Sequence, residues 1–327
     1  MLSEIHHDEL QHEVLRKHFD ANETMFLERE LTQLRAKIYE VVYPELMARS
    51  FAPKASDISS SAETYSYKVI TPVGNAGWVA AGGDDLPRVD AHAKEVLGKV
   101  RSLGASYSWN LVELREAARN NVPLAFYKAK IARDIVERQI DEVLAFGSIR
   151  DQDGGFTDVG LAGLVNNALV VSNTVLAGSF WTNPTPLAPA TILDELNGLA
   201  NSVFSASKQA FEADTILLPS AHYKKIEQTP YSANESDSIL TVFLKNNRAI
   251  KQVVPWYNLD TAGATSGPRA VAYKKDASVL EAVIPQEFET LPPEARGLRF
   301  IVNCHARSGG VKIYQPIAMK YLDFATS

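Results

Sequence analysis

The chain has 327 residues, 46% of them hydrophobic and 22% charged, a balance that excludes a disordered polypeptide and can fill a large core in two lobes. A net charge of −6 without a dense Lys/Arg cluster excludes a nucleic-acid binder that works by neutralising phosphates, while leaving room for an inner surface that faces DNA without gripping it. The single cysteine, Cys304, excludes an internal disulfide, and apolar runs such as 160–165 and 238–244 are far shorter than the ~20 residues of a bilayer helix, so a soluble, unexported protein of a reducing cytoplasm is expected.

Residues 1–22 are polar, and residues 23–48 carry Leu27, Leu31, Leu34, Ile38 and Val41 at spacings of four and three, the stripe of an amphipathic helix. Pro44 marks its end or a kink, and the small residues of 52–64 read as a linker, so this whole stretch is expected to be an arm. "TYSYKVITPVG" (64–74) and "EVLGKVRSLGASYSW" (95–109) are extended, with Gly, Asp and Pro between them in "AAGGDDLPRVDA". Residues 62–108 therefore read as one long hairpin-like loop with too few alternating apolar residues to bury a face of its own, and such a loop needs a partner. A short helix is expected over 109–119. The longest helix follows, from Leu124 to Phe146, with Asn121 and Pro123 at its start and Gly147 at its end. Leu124, Tyr127, Ile131, Ile135, Val136, Ile140 and Val143 form its expected apolar face.

Beyond residue 165 the elements alternate: helix over 189–209, strand over 215–219, helices over 220–226 and 238–247, and a strand over 249–254. The tail turns to strands, with 269–276 and 278–285 flanking a polar turn, and 298–307 and 311–316 joined through "SGG" as a hairpin. Helices early and strands late indicate an α+β class.

The residues that resemble catalytic groups favour structural readings. Ser220 and His222 lack the flanking glycines of a nucleophile elbow and lie two apart on a helix, so Ser220 reads as an N-cap, with Tyr223 and Ile226 turned to the core. "DQDGG" (151–155) begins like a calcium loop but has Gly155 and Ala162 where ligands belong. Cys304 and His305 are adjacent on a strand and face opposite sides, and His6, His7 and His12 sit in a polar arm. No catalytic, cofactor-binding or metal-binding residue is assigned, and no cofactor is expected.

Several segments together carry a resemblance: "YPELMARS" (43–50), "YSYKV" (65–69), "GNAGWVAAGGDDLPRVD" (74–90), "YSWNLVEL" (107–114), "FWTNPT" (180–185), "TILLPSAHY" (215–223) and 291–323. The chain resembles the major capsid proteins of tailed bacteriophages, the Hong Kong-type coat fold, over nearly its whole length. The resemblance implies an N-terminal arm over 1–60 and an extended β loop over 61–106. It implies a peripheral domain over 107–164 and 286–327, with the long spine helix at 123–147, and an axial domain over 165–285. It further implies a self-assembling, non-enzymatic subunit of hexamers and pentamers in an icosahedral phage head. Such a head encloses double-stranded DNA without sequence-specific binding, has no membrane, and is assembled in the host bacterial cytoplasm with scaffold, portal and decoration proteins as further partners. An encapsulin-like compartment shell and an unrelated soluble enzyme are the alternatives. Some members of this family join a loop Lys to a neighbour's Asn covalently. Here Lys68 and Lys94 lie back from the loop tip and no Glu adjoins Asn303 along the chain, so a non-covalent shell is expected.

Overall fold

The structure, a computed structural model, describes residues 44–78, 88–113, 115, 124–150, 156–174, 187–232, 237–263 and 266–324. The chain divides into two units, Met1–Glu45 and Leu46–Ser327. The arm helix with Leu27, Leu31, Leu34, Ile38 and Val41, the histidines His6, His7 and His12, the "DQDGG" segment and the loop tip at 79–87 lie outside the described residues. Among the described residues no helix is long and apolar enough to cross a membrane.

The second unit opens with the short helix α1 (Ala48–Phe51), followed by β1 (Thr64–Val73), β2 (Asp90–Lys99) and β3 (Arg101–Asn110). The spine helix α2 (Leu124–Phe146) comes next, with β4 (Ser148–Arg150), β5 (Phe156–Asp158) and β6 (Ser172–Thr174). Then come α3 (Pro189–Ala206), β7 (Thr215–Leu218), α4 (Ser220–Gln228), α5 (Ile239–Asn246), β8 (Gln252–Pro255) and a 3-10 turn at Tyr257–Thr261. The tail holds β9 (Arg269–Tyr273), β10 (Leu280–Val283), β11 (Gln286–Thr290), β12 (Glu294–Arg296), β13 (Arg299–Ser308), β14 (Gly310–Ile313) and β15 (Met319–Asp323).

A five-stranded sheet in the order β6-β15-β9-β7-β8 organises the body. Every residue of β7 and β9 is buried, which explains why Ile216, Leu217 and Leu218 follow one another without alternation: both faces of a covered sheet are mostly apolar. Leu217, Val271, Tyr273, Met319 and Tyr321 point into one core with Val136, Ile140 and Leu144 of α2. Ile216, Leu218, Ala270 and Ala272 point into the other, against Ile192, Leu196 and Val203 of α3, Ile226 of α4 and Phe243 of α5. Where β15 ends beside the start of β9, Arg269 and Asp323 form a buried pair, with a 2.9 Å hydrogen bond from Arg269 Nη2 to Asp323 Oδ2. Ser172 Oγ also donates to Asp323, at 2.5 Å, and the guanidinium lies 4.6 Å from the Tyr321 ring centroid. These groups satisfy charges that would otherwise be costly to bury.

Five local readings change. The stretch 62–108 divides at Val100: β1 and β2 form the hairpin, while β3 leaves it and pairs antiparallel with β13, from Arg101 opposite Ser308 to Asn110 opposite Arg299. The alternation of Leu103, Ala105, Tyr107 and Trp109 is matched by Ala306, Cys304, Val302 and Phe300, so β3 does have a face to bury. Trp109 and Asn110 consequently belong to a strand and not to the expected short helix. The "SGG" segment is not a hairpin either. β13 lies in the sheet β11-β13-β12 with β3, whereas β14 pairs with β10, so Gly309 and Gly310 carry the chain from one sheet to another. Gly310 has φ +73, and a Cβ there would stand 2.3 Å from the Ala162 carbonyl oxygen.

The linker reading of 52–64 gives way at its start. Ala52 is buried, and Pro53 and Ala55 bond to β10 through Ala282 N→Pro53 O (2.7 Å) and Ala55 N→Ala282 O (2.9 Å). The Phe51 ring meets Trp256 edge-on at 4.8 Å, and Tyr273 Oη donates to the Phe51 carbonyl at 2.8 Å. The spine helix has the expected ends, Leu124 and Phe146, but its buried face runs through Ala132, Val136, Ile140, Val143 and Leu144. Ile131 and Ile135 are 57% and 48% exposed, because each lies one residue, about 100° of helix, from Ala132 and Val136.

The spine helix also carries a buried acid, Asp141. Its Oδ1 accepts from Ala48 N at the start of α1 (2.7 Å), and its Oδ2 accepts from Asn258 Nδ2 in the 3-10 turn (3.5 Å), so one carboxylate joins three elements. Burial is the main cause that pushes this carboxyl up to about 6, opposed by the Ala48 hydrogen bond. A folded-state value raised above the ordinary 3.8 means that the contribution to stability is present below that value and lost as pH rises through about 6. Asp141→Asn should therefore gain on the wild type by on the order of 2 kcal/mol between pH 4 and pH 7. Urea unfolding of both proteins across that range measures the difference, and a pH-independent gap would contradict the assignment.

Candidate functional site

The residues that resembled catalytic groups take structural places. Ser220 is the first residue of α4, behind Pro219. It does not cap the helix with its side chain; its backbone amide donates to Asp260 Oδ1 at 2.9 Å. Pro219 already occupies the boundary position, which displaces the expected N-cap by one residue. His222 is buried and stacked on Phe324, with ring centroids 4.0 Å apart, and burial pushes its imidazole down to about 4, so it is neutral at pH 7. Ile226 is buried and Tyr223 half-buried against the second core. Cys304 points into the body, where burial raises its thiol, while His305 lies on the opposite face of β13, across from Gly104. Among the described residues no group of three or more His, Cys, Asp or Glu could hold a metal ion.

The unusual feature is a projection. β1 and β2 pair over ten residues, from Thr64 opposite Lys99 to Val73 opposite Asp90, as a sheet of two strands. Alternation on β1 survives only as far as Val69, and from Ile70 outward every described residue of both strands is exposed until Val96. Ile70 and Leu97 are 66% and 73% exposed, Val73 and Val89 are also bare, and Trp78 beyond β1 is fully exposed. A two-stranded sheet with neither face covered is at best marginally stable in water, and bare apolar residues of this kind mark contact surfaces.

The projection is anchored at its root. Lys312 of β14 is buried, and its ammonium lies 5.1 Å from the Tyr65 ring centroid, 4.9 Å from Tyr67 and 4.4 Å from Tyr314. Tyr67 and Tyr314 meet edge to face at 5.0 Å, and Tyr314 Oη donates to Glu281, the residue opposite Lys312 in the β10–β14 ladder, at 2.6 Å. Gly98 faces Tyr65 across the hairpin, and a Cβ there would stand 2.1 Å from the ring, so only glycine lets the ring lie flat at this point. Burial pushes the Tyr65 phenol up to about 12, and burial together with the Glu281 hydrogen bond raises Tyr314 as well, which keeps these rings neutral. Cation–π contacts are worth about 0.5–1 kcal/mol at exposed sites and about 2 kcal/mol or more when desolvated. The sequence reading missed this cluster, although Tyr-Ser-Tyr (65–67) and Lys-Ile-Tyr (312–314) both show the period of two that puts their ends on one face of a strand.

Other outward apolar residues lie on the body: Ile131 and Ile135 on the spine helix, and Val112 and Leu298 at the end of the β3–β13 pair, where Leu111 N donates to the Leu298 carbonyl. Lys68 lies opposite Glu95, and Lys94 opposite Val69, both midway along the hairpin. Asn303 is half-buried opposite Ser106. Glu289, opposite His305, lies diagonally across from Asn303, a neighbour that the linear sequence hides, but its carboxylate accepts from Gln286 at 2.6 Å.

A family model described as "Major capsid protein" matches residues 74–324. No curated protein matches the chain. Among solved structures, the capsid of Myoviridae phage XM1 is similar with a TM-score of 0.78 at 18% identity, covering 91% of this chain and 98% of that one. A chain from Gordonia phage Cozz has a TM-score of 0.60 at 11% identity, with 90% and 91% covered. The capsid of a native GTA particle has a TM-score of 0.60 at 12% identity, with 90% and 95% covered. At these identities the likeness is one of fold.

If the outward residues form a true surface of the single subunit, polar substitutions there should be cheap. Leu97→Ser and Ile135→Ser are each expected to change the unfolding free energy of the unassembled subunit by less than about 0.5 kcal/mol, against a loss of roughly 3 kcal/mol for Ile140→Ser. Denaturant unfolding compares the three directly, and a loss at Ile135 equal to that at Ile140 would put Ile135 in the core.

Proposed function

The chain belongs to the major capsid protein family, and on that premise we propose that its copies assemble as hexamers and pentamers into an icosahedral phage head around packaged double-stranded DNA. It is a structural subunit of a phage-type shell and not an enzyme. The observation that carries the finer reading is the β1–β2 hairpin, which buries neither face beyond its root and so has its stabilising contacts on another copy. Ile131, Ile135, Val112 and Leu298 give the body apolar ground on which a neighbour's projection or edge can rest.

The same reading divides the chain into an arm over about 1–60, an extended loop over about 61–106, a peripheral domain over 107–164 and 286–327, and an axial domain over 165–285. A net charge of −6 suits an inner wall that contains DNA and does not bind it by sequence. Scaffold, portal and decoration proteins are the further partners in this scheme, and assembly takes place in the host bacterial cytoplasm before the shell becomes part of the virion.

Purified intact chain is expected to sediment as capsomers or closed particles, visible by negative-stain microscopy. Deleting residues 74–92 should leave a subunit that unfolds cooperatively and forms no stable shell. Intact chain that remains a 35.9 kDa monomer at every salt and protein concentration would refute the assembly reading. Loss of cooperative unfolding in the deletion variant would mean that the hairpin belongs to the subunit's own core.

The shell is held without covalent bonds between subunits, since Lys68 and Lys94 sit midway along the hairpin and Glu289 beside Asn303 is engaged by Gln286. Particles boiled in detergent should run as a single band at the monomer mass on a denaturing gel. A ladder from dimer to hexamer would establish cross-linking instead.

A further inference from the structure

We propose that Lys312 is the positioning residue that fixes the direction in which the hairpin leaves the body. The inference builds on the reading of the hairpin as the projection that grips a neighbour, and adds what aims it. β1 and β2 leave the body through Tyr65, Tyr67 and Gly98, and the first two of these rings rest on the Lys312 ammonium at 5.1 and 4.9 Å. On its other side the same ammonium lies 4.4 Å from Tyr314, a body residue whose hydroxyl is held by Glu281. A single buried cation thus joins two rings of the moving part to one ring of the fixed part. Tyr67 Oη adds a 3.4 Å hydrogen bond to the Ile313 carbonyl, next to Lys312 in β14.

A cation among aromatic faces suits this task better than a methylene chain of the same length. Hydrophobic contact alone is non-directional and tolerates sliding, whereas a charge is attracted to ring faces and is held where three of them converge. Gly98 adds the complementary condition, since any side chain there would displace the Tyr65 ring from the cage. A cleft of about 200 Å³ lies beside the cage between hairpin and body, lined by Leu97 and the two hairpin tyrosines on one side and by Leu161, Leu169 and Val311 on the other, so the apolar walls there are set apart by open space.

Amide hydrogen exchange of the full-length subunit, read peptide by peptide by mass spectrometry, tests the proposal without depending on assembly. Lys312→Met should speed exchange in 64–69 and 95–99 by about tenfold or more while β9 and β13 keep wild-type protection, and Lys312→Arg should restore the hairpin to within about twofold of wild type. Tyr67→Leu, which removes a ring at the more exposed side of the cage, should reproduce the local loosening if the methionine variant fails to fold. Hairpin exchange unchanged in Lys312→Met, or loosening that spreads equally through β9 and β13 in both variants, would overturn the proposal. Failure of the intact protein to form particles would count against the shell reading and leave this result standing on its own.

Discussion

A strand covered on both faces has to be apolar wherever no partner satisfies a polar side chain, and the body of this protein is arranged around that constraint. β7 and β9 are buried throughout, and the sheet containing them separates one core under the spine helix from another under α3, α4 and α5. Once the two cores are fixed by one sheet, the ends of the strands are fixed as well, and the polar groups that must exist there are paired. Arg269 and Asp323 neutralise each other at one end, and Asp141 binds the start of α1 and the 3-10 turn from the spine helix. The two cores of the body are therefore closed, and the buried charges at their margins have partners, while apolar residues such as Ile131 and Leu298 stay on its outside.

The hairpin obeys the opposite rule. Ten residue pairs extend it well away from its root, and beyond the root its apolar residues are bare among the described residues. A chain that closes its two cores and yet leaves Ile70, Leu97 and Trp78 bare is divided between a part that folds alone and a part completed by association. In a phage-type shell that division has a use, because the bare residues of the hairpin gain buried area where a neighbouring copy covers them. The tyrosine cage around Lys312 sits at the border between the two parts, where rigidity in the body has to be transmitted to a projection that lacks its own core.

Local sequence signals account well for the elements and poorly for which elements are neighbours. Leu124 to Phe146 was legible because Asn121 and Pro123 in the sequence and Gly147 bracket a long periodic run, and "TILLP" was legible because three apolar residues between a threonine and a proline have few other uses. The "SGG" turn misled because two strands joined by glycines are usually partners, and only tertiary context reveals that Gly310 is glycine for want of space beside Ala162. Ile131 and Ile135 misled for a related reason: periodicity identifies an apolar stripe but does not say whether the stripe is covered by the same chain or by another. The Lys312 cage and the Asp141 joint bring together residues more than ninety positions apart, and no local pattern connects such pairs. The phage-coat resemblance succeeded because it carried that missing long-range order as a whole.

The place of β15 has a consequence for the living cell. It follows β6, β7, β8 and β9 in the chain, yet it lies between β6 and β9 in the sheet. While a ribosome is still translating, β9 has no neighbour on that side, Arg269 lacks its carboxylate, and β6 has nothing to pair with. The body closes only after residues 319–323 have emerged from the exit tunnel. Translation thus acts as a clock: nascent chains crowded along one messenger RNA cannot offer each other finished subunits, and the encounter between copies is postponed until synthesis of each has passed this last strand.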